Sequence, residues 1–485
     1  MCSRLQIRAQ SRCMNTLRFL IFFYVAGIAS AQGALPPSVN RVLEGHGISS
    51  DGLSILVQEV GSLEPVLAHN SAVPRNPAST IKLLTTWVAL DILGPTHTWP
   101  TEIHFLGDWD GQELEGDLAI KGYGDPYLVT EELWKLLRSL RGMGLENVHG
   151  DLVLDGSFFK GTNGDPGAFD NQPFRAYNVL PNALMINYKT ARFNFLADER
   201  LGTVKVSSDP ELSNLEIQNR IRLVKGPCRG YQSGIAFDVL DPIIGRRVVF
   251  SGNFPESCGH YALSRSVLQH DTFTFGVFET LWKQLGGRFG GTIRNQPVPE
   301  DSKPAMVWHS RPLGEVIRSI NKFSNNVMTR QLLYSLGAEQ GGPPGTNEKG
   351  VQAIENYLQA QGLETASLFI DNGAGLSRAT RISARLMADV LLAGYQSVYM
   401  PEFLASLSLG GLDGTTQGRF NGHPMEGRMH IKTGRLDHVS ALAGYIHGNN
   451  GRTYVVIAML NKADVHRGPG KELQDALLRW AFDLS

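Results

Sequence analysis

The chain has 485 residues, 42% hydrophobic and 19% charged, with a formal charge of −1. That length exceeds one ordinary core, so two or three domains are expected, and the composition excludes a disordered chain. The near-zero balance carries neither a basic stripe nor an acidic tail, so nucleic acid is not an expected partner.

Residues 1–31 read as an export signal. Arg12 and Arg18 precede the apolar run Phe19 to Ile28, and Ala29-Ser30-Ala31 supplies a small-residue cleavage site. The run is too short to span a bilayer, although an uncleaved anchor that draws on flanking residues is the alternative. Cys2 and Cys13 would leave with the signal, so the mature chain keeps Cys228 and Cys258. In an exported chain these two are expected to pair, with two buried free thiols as the other reading.

Leu53 to Val60 alternates like a half-buried strand, with Glu64 to Asn70 as its hairpin partner. An apolar helix follows from near Ser79. Between Trp99 and Tyr261 the texture changes to short β-like runs broken by Gly and Asp, among them "GDLAIKGYGD", "GDLVLDGSFF" and "RRVVFSGNF". Helical periods return from Ser264 in "TFTFGVFETLWKQLGG", "PLGEVIRSINKF" and "VMTRQLLYSLG". "RMHIKTG", "SALAGYIHG" and "RTYVVIAML" then form an antiparallel meander. A closing helix, Lys471 to Leu484, gathers Leu473, Leu477, Trp480, Ala481 and Leu484 on one face. The plan is one domain built from both chain ends, with β-rich material inserted in its middle.

Three short patterns carry chemistry. Ser79 and Lys82 stand one helical turn apart at the start of the apolar helix, so their side chains share a face. The free N–H groups there favour a developing oxyanion. Ser324-Asn325-Asn326 lies at the junction of two predicted helices, and Lys432-Thr433-Gly434 lies on the strand that enters the meander. Each has a bland reading: a capping Ser with a solvated Lys, a turn of Asn residues, and an edge-strand Lys beside a Gly. The three together, in order and in these contexts, weigh more than any one.

The combination SxxK, SxN and KTG resembles the penicillin-recognising serine acyl-enzymes, penicillin-binding proteins and β-lactamases. The long gap between Lys82 and Ser324, with "GYGDPYL", "DNGAGLSR", "GGLDGT" and "LAGY", is similar to the class C low-molecular-mass penicillin-binding proteins, which are D-alanyl-D-alanine carboxypeptidase/endopeptidases. The likeness covers essentially the whole mature chain. It implies an α/β (α+β) DD-peptidase-like fold, an antiparallel sheet flanked by helices, with two inserted β-rich accessory domains. The expected peptidase domain is 32–98 with 262–485. The expected insertion is 99–261, divided into 99–185 with 236–261 and a nested 186–235.

The resemblance implies Ser79 as nucleophile, Lys82 as its base, Ser324 as a bridge between Lys82 and Lys432, and Asn326 on the substrate amide. It implies an oxyanion hole from the N–H groups of Ser79 and Arg435, with Thr433 and Gly434 lining the substrate strand. Arg435 departs from the usual Ser or Thr after KTG. Arg378 is expected to meet a substrate side-chain carboxylate, with Asp437 lining the same pocket and Asp165 as a candidate acidic neighbour. No cofactor and no metal are expected, since no HExxH, zinc-spaced Cys pair or phosphate loop occurs and the thirteen His residues are scattered.

The implied partners are peptidoglycan stem peptides ending in D-Ala-D-Ala and β-lactams as covalent inhibitors, in the periplasm. A β-lactamase or esterase on the same scaffold would differ by fast release of penicillin, and a non-catalytic wall-binding protein by lack of turnover.

Overall fold

The computed structural model describes residues 33–240 and 246–485. The expected export signal lies outside the described residues. Both ends of the chain build one six-stranded antiparallel sheet, in the order Ser408–Leu409, Met429–Leu436, Val439–His447, Thr453–Asn461, Leu53–Glu59, Leu67–His69. The C-terminal meander is closed by the N-terminal strand, which sets Leu53 opposite Leu460 and Glu59 opposite Tyr454.

The strand at Leu53 is not half-buried. Residues 53–58 are all buried, because the sheet is covered on both faces. One face packs on a helical core that includes Leu84, Val88, Ile317, Leu332 and Leu391. The other packs on the helices Pro37–Gly45 and Pro469–Phe482 through Val39, Leu43, Leu473 and Leu477. Two-sided burial replaces alternation with a continuous apolar run. The helix Lys82–Leu93 is apolar on every side and buried from Lys82 to Leu90, as a helix at the centre of a core must be.

The inserted lobe holds a seven-stranded sheet around the hairpin Pro100–Trp109 and Glu113–Gly122, flanked by two three-stranded sheets. Phe193, Phe250, Leu137, Phe278 and Trp282 belong to one continuous core there. Cys228 and Cys258 form a disulfide in this lobe, with Cα atoms 4.8 Å apart.

The lobe extends further along the chain than the sequence suggests. His260–Arg265 pairs with Ala191–Asp198, and the helix His270–Gln284 buries Phe273, Val277 and Phe278 in the lobe core. Arg288–Phe289, Ile293–Asn295 and Met306–His309 then complete the seven-stranded sheet. The chain therefore rejoins the helices of the terminal-sheet domain at Leu313 rather than at 262. The small sheets likewise take Ile235–Leu240 and Arg247–Pro255, so 288–309, not 236–261, completes the first inserted sheet. Short strands of similar texture do not reveal their partners, and an amphipathic helix looks the same on either core.

Candidate active site

Ser79 sits in a tight turn, Ala78–Ile81, that runs directly into the helix Lys82–Leu93. Ala78 is held at a φ of 45°, a strained value for a residue with a Cβ. Asn76 fastens this turn, which sequence reasoning missed. Its Oδ1 accepts the Ala78 N–H at 2.8 Å and its Nδ2 donates to the Ser377 carbonyl at 2.8 Å.

Lys82 is fully buried. Its Nζ lies 3.1 Å from Ser79 Oγ and 2.6 Å from Asn326 Oδ1, and also contacts the Ala374 carbonyl. Lys82 Nζ can donate to all three oxygens; in the neutral amine two N–H groups serve Asn326 and Ala374 and the lone pair is free to accept the Ser79 hydroxyl. Burial, then the positive charges of Lys432 and Arg330, lower the Lys82 pKa well below the ordinary lysine value.

Lys432 is the second buried amine. It donates to Ser324 Oγ at 2.9 Å and to the Thr433 carbonyl at 2.7 Å, and burial lowers its pKa to about 7. Ser324 takes a left-handed φ of 57° between the helices Leu313–Phe323 and Asn326–Gly341. The expected bridge is only half present. Among the described residues Ser324 bonds Lys432, whereas Asn326, the first residue of the next helix, reaches Lys82. Asn326 was expected on a substrate amide; its Oδ1 is engaged by Lys82, which leaves its Nδ2 as the group for a ligand.

The strand Met429–Leu436 passes very close to the Ser79 turn. A Cβ on Gly434 would lie 2.6 Å from the Pro77 carbonyl and 2.9 Å from the Ser79 nitrogen, so only Gly fits. Arg435 is exposed. Thr433 Oγ1 donates to Thr415 Oγ1 at 3.0 Å, and Thr415 belongs to "GGLDGT", a string noticed in the sequence without a role. Asp413 of the same string pairs with buried Lys322 at 2.5 Å.

A cleft of about 390 Å³ is lined by residues that include Asp165, Phe169, Arg330, Asp371 and Arg378. Its lining comes from both the inserted lobe and the terminal-sheet domain. Arg378 lies over the Phe169 ring at 5.0 Å. Its Nη1 donates to the Asp437 carbonyl at 3.1 Å and its Nη2 to Asp437 Oδ2 at 3.3 Å. Arg330, absent from the sequence reading, stands one helical turn beyond Asn326 and donates to the Val179 carbonyl at 3.2 Å. No carboxylate forms an ion pair with it among the described residues.

Two of the thirteen His residues meet an Asp at the end of the meander hairpin. Ligand atoms of His438, Asp464 and His466 lie within 4.8 Å of one another. Each ring accepts a backbone N–H at Nδ1, from Asp464 to His438 at 3.0 Å and from His438 to His466 at 2.9 Å. With Nδ1 accepting, the ring proton of each lies on Nε2, so neither ring presents a spare lone pair to a cation.

The family model described as the D-Ala-D-Ala carboxypeptidase 3 (S13) family matches residues 36–484. A D-alanyl-D-alanine carboxypeptidase from Actinomadura sp. is 27% identical, with 93% of this chain and 85% of that one covered. The crystal structure of penicillin binding protein 4 (dacB) from Haemophilus influenzae superposes with a TM-score of 0.77 at 22% identity, covering 92% of this chain and 99% of that chain. The same protein complexed with a novel β-lactam superposes with a TM-score of 0.73 at 21% identity, covering 92% of this chain and 100% of that one.

Proposed function

The chain belongs to this D-Ala-D-Ala carboxypeptidase family, and from that premise we propose that it hydrolyses the bond between the two terminal D-alanines of peptidoglycan stem peptides through a Ser79 acyl-enzyme. The observation that carries the reading is a partly exposed hydroxyl, Ser79, 3.1 Å from a fully buried lysine that has two other oxygen partners and, among the described residues, no carboxylate partner.

In the proposed reaction neutral Lys82 takes the Ser79 proton as Oγ attacks the carbonyl carbon. The N–H groups of Ser79 and Arg435 hold the developing oxyanion, which the close approach at Gly434 brings together. As the C–N bond breaks, the D-alanine nitrogen receives a proton from the Ser324 hydroxyl, which Lys432 orients from 2.9 Å. Ser324 recovers a proton from Lys432, whose N–H it accepts, and Lys432 recovers one from protonated Lys82 through water in the cleft. Water then enters and attacks the acyl carbon while neutral Lys82 takes its proton; as the ester C–O bond breaks, that proton passes from Lys82 to Ser79 Oγ, which restores the hydroxyl. Thr433 receives the terminal carboxylate, and Arg378 with Asp165 lines the part of the cleft that takes the residue before the D-alanines.

A β-lactam carries a carbonyl in the same position and would be trapped on Ser79. Cross-links between stem peptides are a second substrate of the same centre, with the inserted lobe setting access. Export to the periplasm belongs to the same proposal, supported by the basic-then-apolar start and by the Cys228–Cys258 disulfide. Among the described residues no helix is long and apolar enough to cross a membrane.

Labelled penicillin should acylate the protein at Ser79 and leave Ser79→Ala unlabelled. Mass spectrometry of whole peptidoglycan after incubation should show loss of terminal D-alanine, and opened cross-links if the second substrate is used. Labelling of Ser79→Ala at the native rate, or unchanged muropeptides, would remove this reading.

A further inference from the structure

The hairpin that follows the Lys432 strand ends in a two-residue turn, Asp437 and His438, with Leu436 opposite Val439. His438 holds a φ of 65° there, a conformation that favours Gly or Asn. Two hydrogen bonds keep it: the His438 N–H donates to His466 Nδ1 at 2.9 Å, and His438 Nδ1 accepts the Asp464 N–H at 3.0 Å. The His466 side chain is only 10% exposed, and its Nε2 reaches to 3.5 Å from Asp437 Oδ1. Asp437 in turn takes both terminal nitrogens of Arg378, one on its carbonyl and one on its carboxylate. Phe169 covers one face of the guanidinium. The Nε edge of Arg378 is left unengaged among the described residues, and that edge can meet a second carboxylate side-on.

We propose that His466 is a positioning residue for substrate selection: by accepting the His438 N–H it holds the Asp437–His438 turn in the shape that keeps Asp437 on Arg378, and so orients the guanidinium toward a carboxylate on the substrate. The chain of contacts begins in the short turn Val465–Arg467 before the closing helix and ends in the cleft. An arginine tied down on one edge loses less side-chain freedom when a ligand takes the other. This inference rests on the reading of Arg378 as the residue that meets a substrate carboxylate.

The test uses two peptides ending in D-Ala-D-Ala that differ only in the preceding side chain, one bearing a free carboxylate and the other its amide. Arg378→Ala tests the underlying reading, and should collapse the native preference for the acid. His466→Ala should lower the ratio of kcat/KM for acid over amide by about fivefold, through KM. His466→Asn, which returns an acceptor where Nδ1 stood, should recover most of that ratio. If Arg378→Ala collapses the preference but His466→Ala leaves it native, or lowers both peptides equally, the inference is wrong while the reading of Arg378 stands. If Arg378→Ala leaves the ratio native, the reading itself fails. Acylation by labelled penicillin reports a folded centre. Should His466→Ala lose it, the same criterion is read on exposed His438→Ala, which opens the other half of the clasp.

Discussion

Lys82 Nζ stands 3.1 Å from Ser79 Oγ, and the amine is fully buried. A charged lysine in that position is expensive, because burial penalises the ammonium and two further cations repel it. Burial and the two cations shift Lys82 toward the neutral amine, the form that the proposed base role requires.

The pH dependence of acylation follows with a definite sign. The charged groups acting on Lys82 are Lys432, from the strand, and Arg330, from the helix that begins at Asn326. Asp371 offsets part of the charge on Arg330. Both cations disfavour protonation of Lys82, so removing one raises its pKa and leaves less free base at a given acidic pH. Arg330→Gln should move the acidic limb of the penicillin acylation rate to higher pH by about half a unit to one unit, whereas Arg330→Lys should keep it near its native position. Equal profiles for the Gln variant and the native protein would show that Arg330 only anchors the inserted lobe through Val179.

Gly434→Ala should damage chemistry through the backbone alone. Its Cβ would meet the Pro77 carbonyl at 2.6 Å and the Ser79 nitrogen at 2.9 Å, both main-chain atoms that cannot swing aside. The strand must retreat from the turn, which separates the Ser79 and Arg435 N–H groups, the proposed oxyanion donors, by a fraction of an ångström or more. A fall in acylation of about 100-fold is expected, measured by stopped-flow with a fluorescent penicillin. Near-native acylation would mean that the oxyanion site is built elsewhere.

The Cys228–Cys258 disulfide closes a sequence separation of 30 residues inside the inserted lobe, away from the Ser79 turn. Replacing both by Ser removes about 3 to 4 kcal/mol in the chain-entropy account, or about 10 °C in the unfolding of a lobe of this size. Calorimetry should show that drop, while penicillin acylation at 25 °C stays within about twofold of native. A large loss of acylation would mean that the lobe and the centre unfold together.

Several parts of the site lay outside sequence reasoning for identifiable reasons. Arg330 is one arginine on a long helix, and nothing in "VMTRQLLYSLG" distinguishes a cleft-facing cation from a solvated one. Ser324 and Asn326 are two residues apart, and which of them reaches Lys82 depends on the left-handed φ of Ser324, which turns one side chain toward Lys432 and the other toward Lys82. His438 and His466 are far apart in the chain and meet only because the hairpin end packs against the turn that precedes the closing helix.

The amino-acid sequence by itself determined the chemistry available to this protein. The order of SxxK, SxN and KTG, the all-round apolar helix after Ser79, and the terminal meander are local patterns, written in neighbouring residues and in periods of 2 and 3.6. The tertiary structure decided which lysine meets which serine, where the inserted lobe ends, and how Arg378 is held. Those outcomes depend on contacts between residues hundreds of positions apart, such as Lys82 with Asn326 across 244 residues, and local patterning carries no information about which distant surfaces will close on each other.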